Sequence, residues 1–502
     1  MKLFTKRTGA IALAIMAVGA NPMVAMAVPA AASSPAGDNG ARVLNGAASD
    51  SRGVIPAQAE ASQIPIGVSS IVVNPESPDH MPPRGPLGAV GEALNASGIS
   101  PRVLMANLYV ANPSTGIQTG RSADYFTVFY GADVDLEKLV GLPNTQVHFT
   151  EAWEPPGHNT VNFVTQAGSA FTTLVPLTVR NDLIKLTLSH AFFDKRLQVE
   201  FGRMNLTDDF FVATVCVGCV ISTPAITELG VPGLTKSVWG ARLAYAISPH
   251  ARLGVGVVED NSQLFRSSNG WNWGTKTREG YSGVANLLYN TDFSDERYPV
   301  KAEAGVYHST APYSDALYNT DGSTQSSNPM GTPLKHDAGT WGLYGQGRKV
   351  VWTNGAGGFV PKNVALYGGA FLTPGPGESY PVEAYGGVEY GGFLKDNPVT
   401  LIGSGVRYLQ LSRKRATFEQ ELSAVTGHGN DPVHRDTFQF DVHVQHGIVP
   451  GVLVNGFAQY LLNPNRVHGG AALGSTRSGW MFGLALMMDI GRVSGLTGAS
   501  PR

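Results

Sequence analysis

Asp436-Thr-Phe-Gln-Phe-Asp-Val-His-Val-Gln445 alternates without a break. Phe438, Phe440, Val442 and Val444 fall on one face of an extended chain, and Gln439, Asp441, His443 and Gln445 on the other. Such a strand fits a soluble sandwich with its apolar side inward, or a membrane barrel with its apolar side outward against lipid. The pattern recurs along the chain. Val300, Ala302, Ala304 and Val306 oppose Lys301, Glu303 and Tyr307; Leu197, Val199 and Phe201 oppose Gln198 and Glu200; Ile184, Leu186 and Leu188 oppose Lys185, Thr187 and Ser189. Trp239, Ala241, Leu243 and Tyr245 share a face opposite Gly240, Arg242 and Ala244. Roughly sixteen candidate strands follow Pro101, many of them about ten residues long, as a tilted strand needs in order to cross a bilayer.

The barrel reading is favoured by what occupies the polar face. Gly, Ser, Gln, Asp, His and Arg stand in the middle of long strands, as they would along a wet lumen, whereas soluble sandwiches have shorter strands and a more charged exterior. Charged residues make up only 15% of the chain, against about a quarter in soluble domains. Connections are alternately short, as at Ala191–Arg196 and Ile247–Ala251, and long and polar, as over 261–280, 309–338 and 413–435. Short turns on one rim and long loops on the other are the habit of outer-membrane barrels.

Residues 1–27 follow the secretory plan: Lys2, Lys6 and Arg7, an apolar core over 9–19, and small residues at Ala25-Met-Ala27, with cleavage expected after Ala27. Residues 28–85 are rich in Ala, Pro, Ser, Gly and Asp and read as a disordered arm. The barrel unit spans 86–490 and starts with a short helix over Pro86–Gly98, where Leu87, Val90 and Leu94 have helical spacing; residues 491–502 form a polar tail. No later segment is apolar enough for a transmembrane helix, so a membrane location requires a closed barrel.

The net charge of −2 and the lack of a basic patch argue against a nucleic-acid partner. Cys216 and Cys219, the only cysteines, are expected to close a small loop disulfide, since an exported chain with no second pair and no nearby histidine offers zinc little. There is no Gly-x-Ser-x-Gly elbow, His-Glu-x-x-His helix or phosphate-cradling glycine loop. Gly254-Val-Gly256 sits inside an alternating strand and reads as structural. Asp133-Val-Asp135 is too sparse for a calcium loop, and His428, His434, His443 and His446 lack metal-ligand spacing. No enzyme activity, cofactor or metal is expected.

Several segments, in order, resemble the carbohydrate-selective porins of the OprB family: Asp135-Leu-Glu-Lys-Leu-Val-Gly141, His190 to Asn205 with Asp208-Asp-Phe210, Trp239 to Tyr245, Ala304 to Thr310, Tyr385 to Phe393, and Val449 to Pro464. The resemblance covers about residues 86 to 490. It implies an all-β, 16-stranded antiparallel transmembrane barrel in the bacterial outer membrane, passing carbohydrates such as glucose by diffusion. Two departures stand out. At the end of the strand Thr145 to Glu154, where the family places a constriction arginine, this chain has Glu154. Family members commonly end on an aromatic residue read by the barrel-assembly machinery, whereas here Trp480 to Ile490 is followed by a tail to Arg502, so assembly is expected to read an internal signal.

Alternation parity, with Glu154 added from the resemblance, gives the expected pore lining: Glu154, Gln198, Glu200, Arg242, Lys301, Glu303, Tyr344, Gln346, Arg348, Gln439, Asp441 and His443. Both signs of charge are present, which suits neutral polyols. Trp239, Tyr460, Trp480 and Phe482 fall on the apolar parity as girdle residues. Expected partners are monosaccharides and other small polar solutes, outer-membrane lipids and the assembly machinery, with the barrel a monomer or homotrimer. Two other readings stay open: a general or anion-preferring diffusion porin, and an exported β-rich enzyme or adhesin without a pore.

Overall fold

The strands are long because residue after residue suits both a pleat and one of two solvents. In the computed structural model they close on themselves. The structure describes residues 85–497, apart from stretches within 156–180, 207–235, 263–276, 356–360, 395–398, 428–432 and 468–473 and residues 294 and 376. In chain order the strands are β1 (Ile99–Asn112), β2 (Arg121–Asp135), β3 (Thr145–Trp153), β4 (Asn181–Phe192), β5 (Leu197–Met204), β6 (Val238–Ala246), β7 (Ala251–Asn261), β8 (Arg278–Asn290) and β9 (Val300–Ser309). They continue as β10 (Tyr313–Asn319), β11 (Pro333–His336), β12 (Thr340–Thr353), β13 (Asn363–Leu372), β14 (Val382–Gly391), β15 (Leu401–Gln410), β16 (Asp436–Val449), β17 (Val452–Leu462) and β18 (Gly479–Asp489). All but β10 and β11 form one closed antiparallel barrel of sixteen strands, each paired with its neighbours in sequence. The seam between β1 and β18 runs from Leu104↔Asp489 to Ala111↔Phe482. Closure leaves no unpaired backbone edge, the condition for crossing lipid.

Orientation is decided on β16. Phe440 and Val442 are 47% and 50% exposed on the outside of the sheet, whereas Asp441 and His443 retain 5% and 1% inside it. The apolar face therefore points away from the barrel axis. Outward Trp480 and Phe482 stack at 6.0 Å and Tyr460 meets Trp480 edge-on at 5.3 Å, an aromatic cluster near the long-loop rim. Trp239, also at that end, packs on Trp273.

The alternation fails in one place the sequence reading treated as regular. Thr150 pairs with Lys185 and Glu151 with Leu183, so Ile184 is an extra residue in β4. This bulge turns Ile184 off the expected lipid face into a cluster with the inward Ala106, Phe129, Ala152 and Met487. The inner face is also less uniformly polar than expected. Leu108, Val110, Phe457, Leu461 and Met481 form an apolar inner wall beneath Leu411 and Ala416 of a long loop.

Both ends of the barrel lie at the short-turn rim. Helix α1 (Gly88–Ala96) packs against the segment after β18, where α4 (Ile490–Ser494) forms under an Asp489 N-cap. The Leu87 N–H donates to the Ser494 carbonyl at 2.8 Å, and Gly91 lies so close to Gly495 and Leu496 that a Cβ would meet their carbonyl oxygens. Between β2 and β3, α2 (Leu136–Val140) is capped by Asp135 and ended by left-handed Gly141.

The long loops carry structure of their own. β10 and β11 pair as a hairpin, and α3 (Arg413–Val425) starts on the Ser412 N-cap. Asp315 of the hairpin binds Lys414 of α3 and His336, while Arg466 donates to Ser423 at 2.6 Å and Tyr380 to Asn465 at 3.0 Å. These contacts lock four loops together over one side of the mouth.

Candidate functional site

The inward residues of β4 to β9 and β12 to β17 are knitted into a polar belt. Glu303 on β9 accepts from Asn286 Nδ2 (2.7 Å), the Tyr344 hydroxyl (2.6 Å) and Gln346 Nε2 (2.9 Å). Tyr385 in turn donates to Gln346 Oε1 at 2.6 Å. The ring of Tyr344 lies parallel to Phe371 at 5.3 Å and next to Tyr307 at 6.3 Å, so aromatic faces and hydrogen-bonding groups adjoin on the same wall.

A second group lies further round the wall. Arg348 Nε donates to Glu389 Oε2 at 2.7 Å. His443 sits between Asp441, which it touches through Nδ1, and Glu389, 3.7 Å from its Nε2. Gln459 Nε2 holds the other oxygen of Asp441 at 3.0 Å, and Arg407 pairs with Glu383 at 2.8 Å. A third group is built on β4, β5 and β6, where Glu200 is wholly covered. It receives Arg242 Nε at 2.6 Å and Lys185 Nζ at 3.1 Å. Every carboxylate of these groups faces at least one cation or several neutral donors, as covered charge requires.

Glu154 stands apart, inside the long-loop mouth just beyond β3, with its carboxylate 3.3 Å from the Tyr125 hydroxyl. Burial pushes its carboxyl up from 4.5 to about 7, against the pull of the Lys236 cation. Lys236 itself binds Asp182 at 3.2 Å.

Parity therefore located an inward set that the structure sorts into clusters. Glu303, Tyr344 and Gln346 meet directly; Asp441, His443 and Arg348 meet through Glu389; Glu200 meets Arg242. Lys301 faces inward beside Arg348 in register, Gln439 is covered on the row of Arg407, and Gln198 is half-buried near the short-turn end of β5. Cys216, Cys219 and His428 lie outside the described residues.

The profile of the "Carbohydrate-selective porin, OprB family" matches residues 120–482. The chain belongs to this family. Among curated proteins it is 23% identical to Porin B of Pseudomonas aeruginosa over 371 residues, which is 70% of this chain and 79% of that protein. Among solved structures it superposes on the high-pH structure of Pseudomonas putida OprB with a TM-score of 0.69 at 17% identity, covering 81% of this chain and 99% of that one. The protein is an outer-membrane carbohydrate porin, a channel for diffusion of small polar sugar solutes, and its short-turn rim is periplasmic and its long-loop rim extracellular.

Sequence reasoning missed several members of the belt in this OprB porin. Glu383, Tyr385 and Glu389 share one parity on β14, and Arg407 has the corresponding place on β15. The alternation of Val382-Glu-Ala-Tyr-Gly-Gly-Val-Glu389 carried that signal. The partners of Glu200 on β4, Lys185 and Thr187, fell on the polar parity as well, but nothing local to either strand tied them to Glu200.

Proposed function

We propose that monosaccharides such as glucose cross along the polar belt, and that it favours neutral polyols over ions because its charges are already neutralised within the wall. The observation that carries this reading is the pairing itself: Glu200 with Arg242 and Lys185, Glu389 with Arg348, and Glu383 with Arg407, while Glu303, solvated by neutral donors, has the inward Lys301 two residues away on β9. A paired wall offers hydrogen bonds and projects little net field, so it can replace part of a sugar's hydration without holding an ion. The adjoining rings of Tyr307, Tyr344 and Phe371 add surfaces for C–H faces. Transport is the protein's sole activity in this reading, with outer-membrane lipid around it and the assembly machinery as its insertion partner.

The decisive measurement is conductance of the purified, reconstituted protein. Glucose should reduce single-channel current in a saturable way, and liposomes should swell faster in glucose than in a charged solute of similar size. Channel steps indifferent to glucose would leave a general or anion-preferring porin, and no steps at all would end the channel reading.

Glu154 sets a pH dependence. Its folded value of about 7 lies above the ordinary 4.5, so the protonated carboxyl is the form the fold prefers. That contribution to stability is complete below pH 4.5 and is lost as pH rises to about 7. The folded mouth gains its negative charge around pH 7, and cation selectivity should rise as pH passes that value. Zero-current potentials in a KCl gradient should show this step in the native pore and lose it in Glu154→Gln.

A further inference from the structure

We propose that Tyr367 is a specificity-determining residue of the pore: seated over Gly387 and Gly405, it sets its hydroxyl beside Asp441, and the two form a subsite for neighbouring hydroxyls of a neutral sugar. This deepens the sugar-pore reading and rests on it. One row of the inner wall runs in register across six strands: Arg348 on β12, Tyr367 on β13, Gly387 on β14, Gly405 on β15, Asp441 on β16 and Gln459 on β17. Two adjacent glycines interrupt it. A strand loses side-chain packing at each glycine, and such a position often marks the close approach of another group. Neither Gly387 nor Gly405 has the left-handed backbone that would demand a glycine.

The approaching group is the side chain of Tyr367. A Cβ on Gly387 would run into Tyr367 Cζ and its hydroxyl oxygen, and one on Gly405 would meet the same oxygen and lie 3.1 Å from Cζ. The side chain therefore leaves β13, lies across β14 and ends over β15, with 7% of the residue still exposed. Its hydroxyl has no hydrogen-bond partner among the described residues and is not sealed within the wall, so the open edge of the ring is its polar end. The charges nearest to it are Asp441, the register partner of Gly405, and Glu389, two residues along β14 from Gly387. Asp441 is engaged by His443 and Gln459, but each carboxylate oxygen has two lone pairs, so it still accepts from a solute. A phenol both donates and accepts. Adjacent strands lie about 4.8 Å apart, a span that two neighbouring sugar hydroxyls bridge by bonding to both groups. The paired charges of the belt keep their partners whether or not a sugar is present. The Tyr367 hydroxyl exchanges only water for the solute, and so reads it.

The test is made on the full-length protein in planar bilayers, with glucose as the probe. Tyr367→Phe keeps the ring in its seat and removes the hydroxyl. The glucose concentration that halves the KCl current should then rise about three-fold to ten-fold, the worth of one hydrogen bond. Gly405→Ala, which displaces the hydroxyl without removing it, should weaken the block in the same direction and carries the test if Tyr367→Phe does not fold. Adding Tyr367→Phe to Gly405→Ala should cost nothing more, because both act on the same group. A side chain that only packs would leave the block native in Tyr367→Phe, and that result would overturn the proposal while the sugar pore stands. A native channel that glucose does not block would remove the sugar reading and this subsite together.

Discussion

Val442→Arg is expected to stop the protein from assembling in the membrane. Val442 lies midway along the outward row Phe438, Phe440, Val442, Val444 and His446. His446 bonds Thr400 near the periplasmic end of that row, and Phe440 shares a register with Tyr460 and so lies toward the aromatic cluster at the extracellular end. Val442 is accordingly the deepest member. An arginine on the lipid face costs about 2–4 kcal/mol at the midplane and about 0–1 kcal/mol near the interfaces. Val442→Arg should therefore be more damaging than Phe440→Arg, and Val442→Leu close to neutral. Urea titration of refolding into liposomes, read by the mobility difference between folded and unfolded barrel, measures the gradient. Equal tolerance of arginine at both sites would contradict the outward placement of this face.

That gradient rests on the part of the molecule most legible in the sequence. A lipid-facing residue has one neighbour, hydrocarbon, so its identity is set locally, and the run Phe438 to Val444 declares its face without knowledge of any other strand. Interior residues answer to distant neighbours. Arg348 and Glu389 stand on strands separated by a third, and neither names the other in the sequence. Parity places both inward, and only closure of the barrel pairs them. The apolar inner wall of Leu108, Val110, Phe457 and Met481 was illegible for a related reason: parity tells inside from outside, but not whether a loop returns to cover the inside. Ile184 shows the limit of parity itself, since one inserted residue reverses the face without changing composition. Gly254 and Gly256 were visible as an oddity, but the side chains that approach them, Leu206 and Phe210, stand more than forty residues upstream.

Replacing Glu200 by glutamine should have the largest effect inside the barrel. Glu200 is wholly covered and is the shared anion of Arg242 and Lys185, with Thr187 donating to the same carboxylate. Glutamine keeps the shape and one acceptor but removes the charge, leaving two cations facing each other across β4, β5 and β6. Removing one partner of a buried pair costs about 3–5 kcal/mol, and the retained carbonyl acceptor places Glu200→Gln toward the lower figure. The unfolding midpoint of the detergent-solubilised barrel should fall, and the zero-current potential in a KCl gradient should shift toward chloride, because the wall now projects positive charge into the lumen. Arg242→Met in the same background should recover part of the stability and most of the selectivity. That recovery separates a paired charge from a merely space-filling one, since two independent sites would add their losses. If Glu200→Gln leaves both stability and selectivity at native values, the paired wall is not what keeps the pore neutral to ions.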